Sequence, residues 1–491
     1  MIARMNLRSA APTGRRRALI FGVSLLALLG LNSTAAHGAT FTRGFVDDVW
    51  FDTPPGTPTT NLWLARTKAT GAALAQIEVD WLSVEPKAPK RGARLTSPAA
   101  AQFVWSSLDQ RVEELVHAGL TPVFLVTEAP RWAEAKGGSA AEYAAAGYEV
   151  NSRALGQFAQ ALAKRYSGTY PNPMAPGSNL PRVRYMQAWA EANTSFHLSP
   201  QWTRVAGKTV NAGAVLYRGM LNAFYAGAHA GDPAVKVIAS GLEGYGDPPF
   251  SGLNRVHPVQ FLQNLLCLSA TDKKVNCAGG PVHFDILGAD PYDAFSPTTN
   301  ALSPLDAPAP DLGRLIAAAK AAVRQGTLLP DSNKPFWVTE FGYDSKPPNP
   351  TAVSTATQAK WLEEGFYLFW RQGASAAMWY LVRDQVPPYD QNYFSGVYFR
   401  SGKKKPSFTA YRFPFVVMRW AGGNKTSVPQ AWGISPVGGT VSVQFESGGG
   451  WKTLRSFHVA KDGIFDFTSS KLPHGRYRAT VSGQSSLIWT Y

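Results

Sequence analysis

Two glutamates in this sequence each lie at or near the end of an apolar, aromatic run. Glu191 ends the segment VRYMQAWAE, which begins at residue 183, and Glu340 lies within FWVTEFGYD, which begins at residue 336. Two carboxyl groups that face one site can perform acid–base and nucleophilic chemistry, because one donates a proton while its ionised partner attacks or activates water. These roles need different pKa values, and the apolar surroundings of Glu191 favour a raised pKa through loss of hydration.

The repeating pattern of the chain can bring both glutamates to one site. From about residue 44 to 384, short apolar, β-branched or aromatic runs alternate with longer segments of helical periodicity. Eight runs are strand candidates: GFVDDVWF at residue 44, LAQIEVDW at 74, TPVFLVTEAPRW at 121, VRYMQAWAE at 183, VKVIASGL at 235, FDILGADPY at 284, FWVTEFGYD at 336 and AAMWYLVRD at 376. The alternation predicts an α/β fold, a (β/α)8 TIM barrel, whose parallel strands all end at one face. Glu191 and Glu340, on the fourth and seventh strands, are both expected at that face.

Between the strand candidates, apolar residues recur at helical spacing. One predicted helix runs from Gln102 to Ala118 and another from Leu312 to Arg324. The predicted apolar face of the first helix contains Val104, Leu108, Val112, Leu115 and Val116.

The pattern changes after a last amphipathic stretch at residues 408–420. Short alternating strands separated by Gly-rich or Pro-containing turns follow, and they predict a small β-sandwich. We therefore expect a barrel domain at residues 40–422 and a β-sandwich domain at residues 423–491. Because so short a domain buries little core by itself, we expect it to pack against the barrel.

Residues 1–39 read as a secretory signal segment. Five arginines precede the 14-residue apolar run from Ala18 to Leu31, and a small-residue stretch, STAAHGA, follows. Arg16 and Arg17 also loosely suggest a twin-arginine signal, but a merely basic leader is the preferred interpretation. The run is too short to span a bilayer comfortably, so we expect a secreted or cell-envelope-associated protein with no integral membrane segment after cleavage.

Export determines how the two cysteines are interpreted. Cys267 and Cys277 flank the polar stretch LSATDKKVN, and in an oxidising compartment we expect a disulfide between them. The alternative, a metal site, lacks neighbouring His or Cys residues. The net charge of +15 falls to +10 without the five leader arginines, and this surplus is scattered apart from residues 403–405. Nucleic-acid binding is therefore not expected, and attraction to acidic glycans or a cell envelope fits better.

Two segments resemble motifs of a known enzyme group. YMQAWAEAN, at residues 185–193, resembles the strand-four motif of the clan A glycoside hydrolases, especially families 39 and 5, in which Trp-Asn-Glu-Pro-Asn carries the acid/base. VTEFG, at residues 338–342, resembles their strand-seven motif, which carries the nucleophile. The resemblance extends to APRW at residue 129, to DPY at residue 290 and to Trp379. It implies a retaining hydrolase of poly- or oligosaccharides, without cofactor, in which Glu191 is the acid/base and Glu340 the nucleophile.

The sequence departs from that motif beside the acid/base. Ala190 replaces the usual Asn, and Ala192 replaces the Pro, so the group that contacts the sugar 2-hydroxyl in the resembled enzymes is missing. An unusual substrate, a replacement contact, or weak or lost activity would each explain the change. The alternative function is a carbohydrate-binding protein on a degenerate hydrolase scaffold, and lyase or transglycosylase chemistry also remains open.

Further residues near the predicted strand ends are candidates for binding sugar. Trp132 and Trp379 are the preferred stacking residues among several tryptophans there, although such side chains also fill barrel cores. Tyr292 is expected to hydrogen-bond the nucleophile. Asp290 is either a hydroxyl acceptor or a cap, and Asn193 either a ligand contact or a turn residue. The histidines lack metal-ligand spacing, and neither a phosphate-binding loop nor a Gly-x-Ser-x-Gly motif occurs.

Overall fold

The computed structural model describes residues 41–46, 54–90, 92, 95–293, 295–388, 393–419 and 428–491. The predicted signal segment, residues 1–39, lies outside the described residues. Within the described part of the chain, no helix has both the length and the apolar character needed to cross a bilayer.

The centre of the fold is an eight-stranded parallel sheet whose strands match the eight predicted runs. They are β1 Thr42–Val46, β2 Leu74–Asp80, β3 Thr121–Thr127, β4 Tyr185–Ala188, β5 Lys236–Ala239, β6 Leu287–Ala289, β7 Phe336–Phe341 and β8 Ala374–Tyr380. Their order in the sheet is β5-β4-β3-β2-β1-β8-β7-β6. A parallel bridge between Ile238 and Ile286 joins the two outermost strands and brings the sheet close to a closed barrel. The predicted (β/α)8 barrel is therefore confirmed.

The barrel interior is apolar toward the amino ends of its strands. Side chains packed together there are Leu74, Val123, Ile238, Ile286, Trp337, Ala376 and Met378. Closure also needs a small residue at Gly288, because a Cβ there would lie 2.6 Å from the carbonyl oxygen of Ala239 on β5. The filled amino end leaves the carboxyl ends of the strands as the place for a cavity.

Helices and short strands connect the barrel strands. The helices are α1 Pro58–Ala69, α2 Trp81–Val84, α3 Ser106–His117, α4 Ala140–Ala144, α5 Ser152–Arg165, α6 Ala212–Gly231, α7 Pro258–Leu265, α8 Gly313–Arg324, α9 Thr355–Gln372 and α10 Pro406–Arg412, with 3-10 turns at Arg131–Ala133 and Ala309–Asp311. Trp202–Val205 pairs with Lys208–Asn211, Val282–His283 with Leu328–Leu329, and Ser345–Lys346 with Val353–Ser354.

The helix predicted from Gln102 is shorter than expected and has a narrower buried face. It begins at Ser106, and its Leu108, Val112 and Leu115 are buried. Val104 precedes the helix and is exposed, and Val116 is also exposed. The predicted apolar face was therefore wrong at its two outer positions, since Val116 follows Leu115 directly and points about 100° away from it around the helix.

The C-terminal region consists of two antiparallel sheets. Its strands are β9 Phe415–Met418, β10 Gln430–Ile434, β11 Gly439–Ser447, β12 Gly450–Val459, β13 Ile464–Thr468, β14 Arg476–Val481, β15 Gln484–Ser485 and β16 Trp489–Thr490. One sheet has the order β9-β10-β13, and the other β12-β11-β14-β15 with β16 also paired to β14. Side chains of both sheets belong to one apolar core, as a β-sandwich requires.

The amphipathic stretch at residues 408–420 is not one element. Helix α10 ends at Arg412, Pro414 follows, and the β-branched run Phe415–Met418 forms a strand of the C-terminal sheet. Proline disfavours helical conformation in the residue before it, which explains the early end. The C-terminal sheet therefore begins before residue 423, and the predicted boundary itself lies outside the described residues.

The C-terminal sheets pack on the barrel, as expected. The buried Arg43 of β1 forms an ion pair with Asp462, with Nη2 and Oδ1 2.8 Å apart. From α9, Tyr367 donates a hydrogen bond to Gln430 Oε1 at 2.9 Å. These partly or fully buried polar contacts fix the C-terminal sheets against the outside of the barrel.

The expected disulfide is present. Cys267 and Cys277 are bonded, and their Cα atoms lie 5.8 Å apart. The bond closes the loop that follows α7.

Candidate active site

A cavity of about 670 Å³ opens at the carboxyl ends of the barrel strands. Its described lining is Val46, Gln76, Glu78, Asp80, Leu125, Glu128, Ala190, Glu191, His197, Glu243, Asp290, Tyr292, Glu340, Tyr380 and Tyr393. Seven of these side chains carry carboxyl groups, and none of the described lining residues is Lys or Arg. Both predicted catalytic glutamates, together with Asp290 and Tyr292, therefore reach one site.

Glu191 is placed by an abrupt change in backbone direction after β4. The strand ends at Ala188, and both Trp189 and Glu191 have positive φ angles, 81° and 27°. Such angles are unfavourable for residues with a side chain and persist only where surrounding contacts impose them. Trp189 supplies one such contact, because it is buried and its Nε1 donates to the carbonyl of His197 at 2.6 Å.

A buried glutamine holds the loop that follows Glu191. The Nε2 of Gln201 lies within hydrogen-bond distance of the carbonyl oxygens of Ala192, Thr194 and Leu198, at 2.9, 3.1 and 2.7 Å. The amide of Ala192 in turn donates to Ser240 Oγ at 2.9 Å, which joins this loop to the end of β5. The backbone on the carboxyl side of Glu191 is thereby fixed by buried hydrogen bonds.

The surroundings of Glu191 favour its protonated form. Burial raises the pKa of Glu191 well above its ordinary value, and the nearby charges of Asp290 and Glu340 raise it further. His197 Nε2 lies 3.7 Å from Glu191 Oε2. Burial lowers the pKa of His197 to about 4, so its ring is neutral near pH 7 and does not oppose protonation of Glu191.

Glu340 reaches the cavity through an irregularity in β7. The register between β7 and β8 shifts between Val338 and Phe341, and such shifts redirect side chains that strict alternation would turn away. Tyr292 Oη donates a hydrogen bond to Glu340 Oε1 at 2.6 Å, as expected from the sequence. Burial raises the pKa of Glu340 to about 7, and the bond from Tyr292 opposes that rise. Of the two glutamates, Glu340 is the one whose ionised form receives a hydrogen bond.

Asp290 lies deeper than the two glutamates. It is only 3% exposed, and its Oδ1 accepts a hydrogen bond from Thr339 Oγ1 at 2.6 Å. Burial and the neighbouring charge of Glu340 raise the pKa of Asp290 well above its ordinary value. Space for this carboxyl depends on Gly241, where a Cβ would lie 2.1 Å from Asp290 Oδ2.

Asn193 lies outside the cavity lining and has a different set of contacts from those predicted for a ligand-binding residue. Its Nδ2 donates to the carbonyls of Glu243 and Val256, and its Oδ1 accepts from the amide of Glu243 at 3.0 Å. These bonds use both Nδ2 hydrogens and the Oδ1 of Asn193, and they position Glu243. Burial raises the pKa of Glu243 to about 7 despite the opposing charge of Arg255, whose Nη1 lies 3.1 Å from Glu243 Oε1.

The two predicted stacking tryptophans also lie outside the cavity. Trp379 is fully buried and donates its Nε1 hydrogen to the carbonyl of Ser395 at 2.9 Å, so it has no exposed face for a sugar. Trp132 packs edge-on against Trp81 and lines a separate groove of about 580 Å³. The aromatic side chains that do line the cavity are Tyr292, Tyr380 and Tyr393.

The cavity-lining residues that come from β2 and from the end of β3 were not predicted from the sequence. Gln76, Glu78 and Asp80 alternate along β2 and line the cavity, and Glu128 follows β3 directly. Asp80 and Glu128 stand at the same kind of position, a strand end, that pointed to Glu191. The signal was therefore available in the segments LAQIEVDW and TPVFLVTEAPRW.

Comparison with solved structures shows which proteins share this fold. A family 39 glycoside hydrolase from the gut symbiont Bacteroides cellulosilyticus WH2 aligns with a TM-score of 0.51 and 15% sequence identity, covering 88% of this chain and 81% of the other. A glucosidase from Croceicoccus marinus aligns with a TM-score of 0.51 and 12% identity, covering 87% and 83%. No protein-family model matches the chain, and comparison with curated protein sequences finds no match. At these identities the similarity concerns the fold alone.

Proposed function

We propose that this protein is an exported retaining glycoside hydrolase that cleaves a poly- or oligosaccharide with two glutamates. The single observation that carries the proposal is the meeting of Glu191 and Glu340 in one cavity at the carboxyl ends of the barrel strands. Their surroundings differ in the way the two roles require. The pKa of Glu191 is raised well above its ordinary value, whereas ionised Glu340 accepts a short hydrogen bond from Tyr292.

The proposed reaction has two steps. In the first, the Glu340 carboxylate attacks the anomeric carbon while Glu191 gives its proton to the leaving oxygen, so that a glycosyl ester forms and the glycosidic bond breaks. In the second, Glu191 takes a proton from water, and the water oxygen displaces Glu340 from the anomeric carbon. Tyr292 holds the Glu340 carboxylate throughout, and the sugar leaves with its original anomeric configuration.

A second candidate function is carbohydrate binding without turnover. The observation in its favour is Ala190, which lines the cavity at the position where the resembled motif carries a polar side chain. The retained glutamate pair favours hydrolysis, because a binding protein has no need of two carboxyl groups with separated pKa values.

The experiment that tests the proposal measures turnover and binding on one preparation of the mature protein against a panel of polysaccharides, with product analysis. Glu340→Gln should reduce turnover by about 1,000-fold or more and leave binding, because it removes the nucleophile and keeps the shape. Glu191→Gln should lose about 100-fold or more on natural glycans but spare substrates whose leaving groups need no protonation.

The possible outcomes separate the candidates. Hydrolysis with retained configuration supports the proposal, and binding without turnover supports the second candidate. Unsaturated or lengthened products would indicate lyase or transglycosylase chemistry instead. Wild-type rates in both variants would show that the active site lies elsewhere.

A further inference from the structure

Four side chains on one side of the cavity present hydrogen-bond acceptors to it. Gln76, Glu78 and Asp80 come from one face of β2, and Glu128 lies next to them because β2 pairs with β3 as far as Asp80 and Thr127. We call these four residues the acceptor wall. In the proposed hydrolase none of them has a role in breaking the glycosidic bond.

Gln76 leaves an oxygen without a donor. Its side chain is buried, and its Nε2 donates to Gln187 Oε1 at 3.2 Å. The Oε1 of Gln76 accepts no hydrogen bond within the described part of the chain. An acceptor left unpaired in a buried position is unfavourable, and because this oxygen belongs to a residue of the cavity lining, a ligand in the cavity can supply the missing donor.

The charges around the acceptor wall also favour a ligand that donates hydrogen bonds. Burial raises the pKa of Glu128, and the charge of Asp80 and a hydrogen bond between the two side chains raise it further, so the two carboxyl groups lie in direct contact. Neither Lys nor Arg occurs among the described lining residues, and His197 is neutral near pH 7. Arg255 balances Glu243, which follows β5, three strands away from β2 in the barrel. A positively charged ligand would relieve the repulsion between Asp80 and Glu128.

We infer that the acceptor wall binds a protonated amine, so that the substrate of this site is an amino sugar with a free ammonium group. The identification as a substrate rests on the proposed function. An ammonium group has three N–H donors and no acceptor, which complements a wall of carboxylate and amide oxygens. An N-acetyl group has no charge and only one N–H donor, and it would bring a carbonyl oxygen toward those oxygens, so N-acetylated sugars should bind less tightly at the same position.

A metal ion is the other cation that carboxylates attract. The described residues contain no group of three His, Cys, Asp or Glu side chains placed to hold one. Metal binding is therefore an outcome that the experiment must recognise, and the amine is the occupant that the wall fits.

The test uses the full-length mature protein and measures binding by calorimetry, which does not depend on turnover. The probes are glucosamine, galactosamine and mannosamine, each compared with its N-acetyl form and with the parent hexose, and separately calcium and magnesium chloride. At least one amine should bind about tenfold or more tightly than both matched sugars, since hydrogen bonds to charged groups contribute more than neutral ones.

Substitutions then locate the amine. Asp80→Asn combined with Glu128→Gln should abolish the preference for the amine over both matched sugars. Glu446→Gln removes a carboxylate on β11 that pairs with Arg476 at the surface, and it should leave the preference unchanged. The double variant also removes a cap of α2, so a thermal melt of each variant must show a folded protein.

The binding measurements and the substitutions together distinguish the inference from the alternatives. No amine preference in any of the three sets, or calcium or magnesium binding that the double variant abolishes in place of amine binding, overturns the inference. Hydrolysis of neutral glycans without any amine preference would overturn it and leave the proposed function standing. Amine binding that the double variant abolishes, without hydrolysis of any glycan, would support the acceptor wall and contradict the proposed function.

Discussion

The two sides of the cavity place the same acidic residue types at the same kind of position and surround them differently. Around Glu191, Asp290, Tyr292 and Glu340, which we call the catalytic side after the proposed function, burial raises every carboxyl pKa, and for Glu191 and Asp290 well above the ordinary value. Burial also raises the pKa of Glu128 on the acceptor wall. On the acceptor wall, Glu128 is exposed to the cavity and Asp80 is partly exposed. A carboxyl group at the end of a barrel strand is therefore not assigned to catalysis by its position alone.

The difference matches the proposed division of the cavity between proton transfer and ion binding. Groups that exchange protons near neutral pH need pKa values raised by loss of hydration, and the catalytic side supplies this by burial. Groups that bind a cation work best when a ligand can reach them, and Glu128 is exposed to the cavity. Charged residues outside the cavity lining also affect the pKa values of these carboxyl groups, as Arg255 does for Glu243.

The largest effect on this comparison should come from Gly241→Ala. The added Cβ would lie 2.1 Å from Asp290 Oδ2, so the Asp290 carboxyl must move, and with it one of the charges that raise the pKa of Glu191. Misplacement of about 1 Å in a catalytic site can cost about 100-fold in rate, and we expect a loss of this order in kcat/KM.

The matched control is Gly313→Ala at the start of α8, where the nearest atom to an added Cβ is 3.9 Å away. It should keep wild-type kcat/KM, and thermal melts should show both variants folded. A Gly241→Ala protein that is folded and fully active would mean that the position of Asp290 has no bearing on the reaction.

A smaller effect, with a definite sign, should follow from Tyr292→Phe. The hydrogen bond from Tyr292 lowers the pKa of Glu340 against the effect of burial, so its removal raises that pKa further. Because Glu340, as the proposed nucleophile, acts in its ionised form, activity should be lost as pH falls through this pKa, and the acidic limb of the kcat/KM profile should move to higher pH. At neutral pH we expect a loss of about tenfold, in keeping with one hydrogen bond to a charged group.

Tyr393→Phe is the control for this shift. Tyr393 lines the same cavity, but among the described residues only Tyr292 is found to donate a side-chain hydrogen bond to Glu340. The acidic limb of the kcat/KM profile of Tyr393→Phe should stay in place. An unchanged acidic limb in Tyr292→Phe, or equal shifts in both variants, would show that the hydrogen bond from Tyr292 does not control the ionisation of Glu340.

Much of the fold could be predicted from the sequence because barrel strands are buried on both faces. Such strands appear as apolar or β-branched runs, and all eight were identified. Their ends were less predictable. The run VRYMQAWAE suggested a strand reaching Glu191, but β4 stops at Ala188 because Trp189 takes a positive φ imposed by the loop that follows. One contact that holds Trp189 in this conformation is its hydrogen bond to the carbonyl of His197, eight residues further along the chain, which a local pattern does not reveal.

The same distinction applies to the site. Glu191, Glu340, Asp290 and Tyr292 could be predicted because they follow or end recognisable strands. Tyr393 could not, because it lies in a long segment after β8 that long-range contacts hold in place. Lys405, fully buried, donates to Asp384 Oδ1 at 2.6 Å and to the carbonyl of Phe394 at 2.9 Å, which fixes the backbone beside Tyr393.

The tryptophan predictions illustrate a further limit. Trp379 and Tyr380 are neighbours on β8, and their side chains point in opposite directions. The sequence favoured Trp379 as the stacking residue, yet Tyr380 lines the cavity and Trp379 is buried. Which of two adjacent aromatic residues faces the barrel interior depends on the register between β8 and its neighbours, and the residue types do not fix it.

The smallest expected effect concerns Ala190, which lines the cavity beside Glu191 and has only a methyl group to offer a sugar. In the resembled motif an Asn at this position contacts the 2-hydroxyl, and contacts to that hydroxyl can supply several kcal/mol in the transition state. Ala190→Asn should therefore raise kcat/KM on aryl glycosides with a free 2-hydroxyl by about two- to tenfold, the contribution of one neutral hydrogen bond.

The wild-type protein should process ordinary glucosides and xylosides slowly, and it should lose little kcat/KM on their 2-deoxy analogues. If unmodified glucosides or xylosides are its best substrates and the 2-deoxy analogues lose several kcal/mol of transition-state stabilisation, another residue makes the contact and Ala190 does not mark a change of substrate.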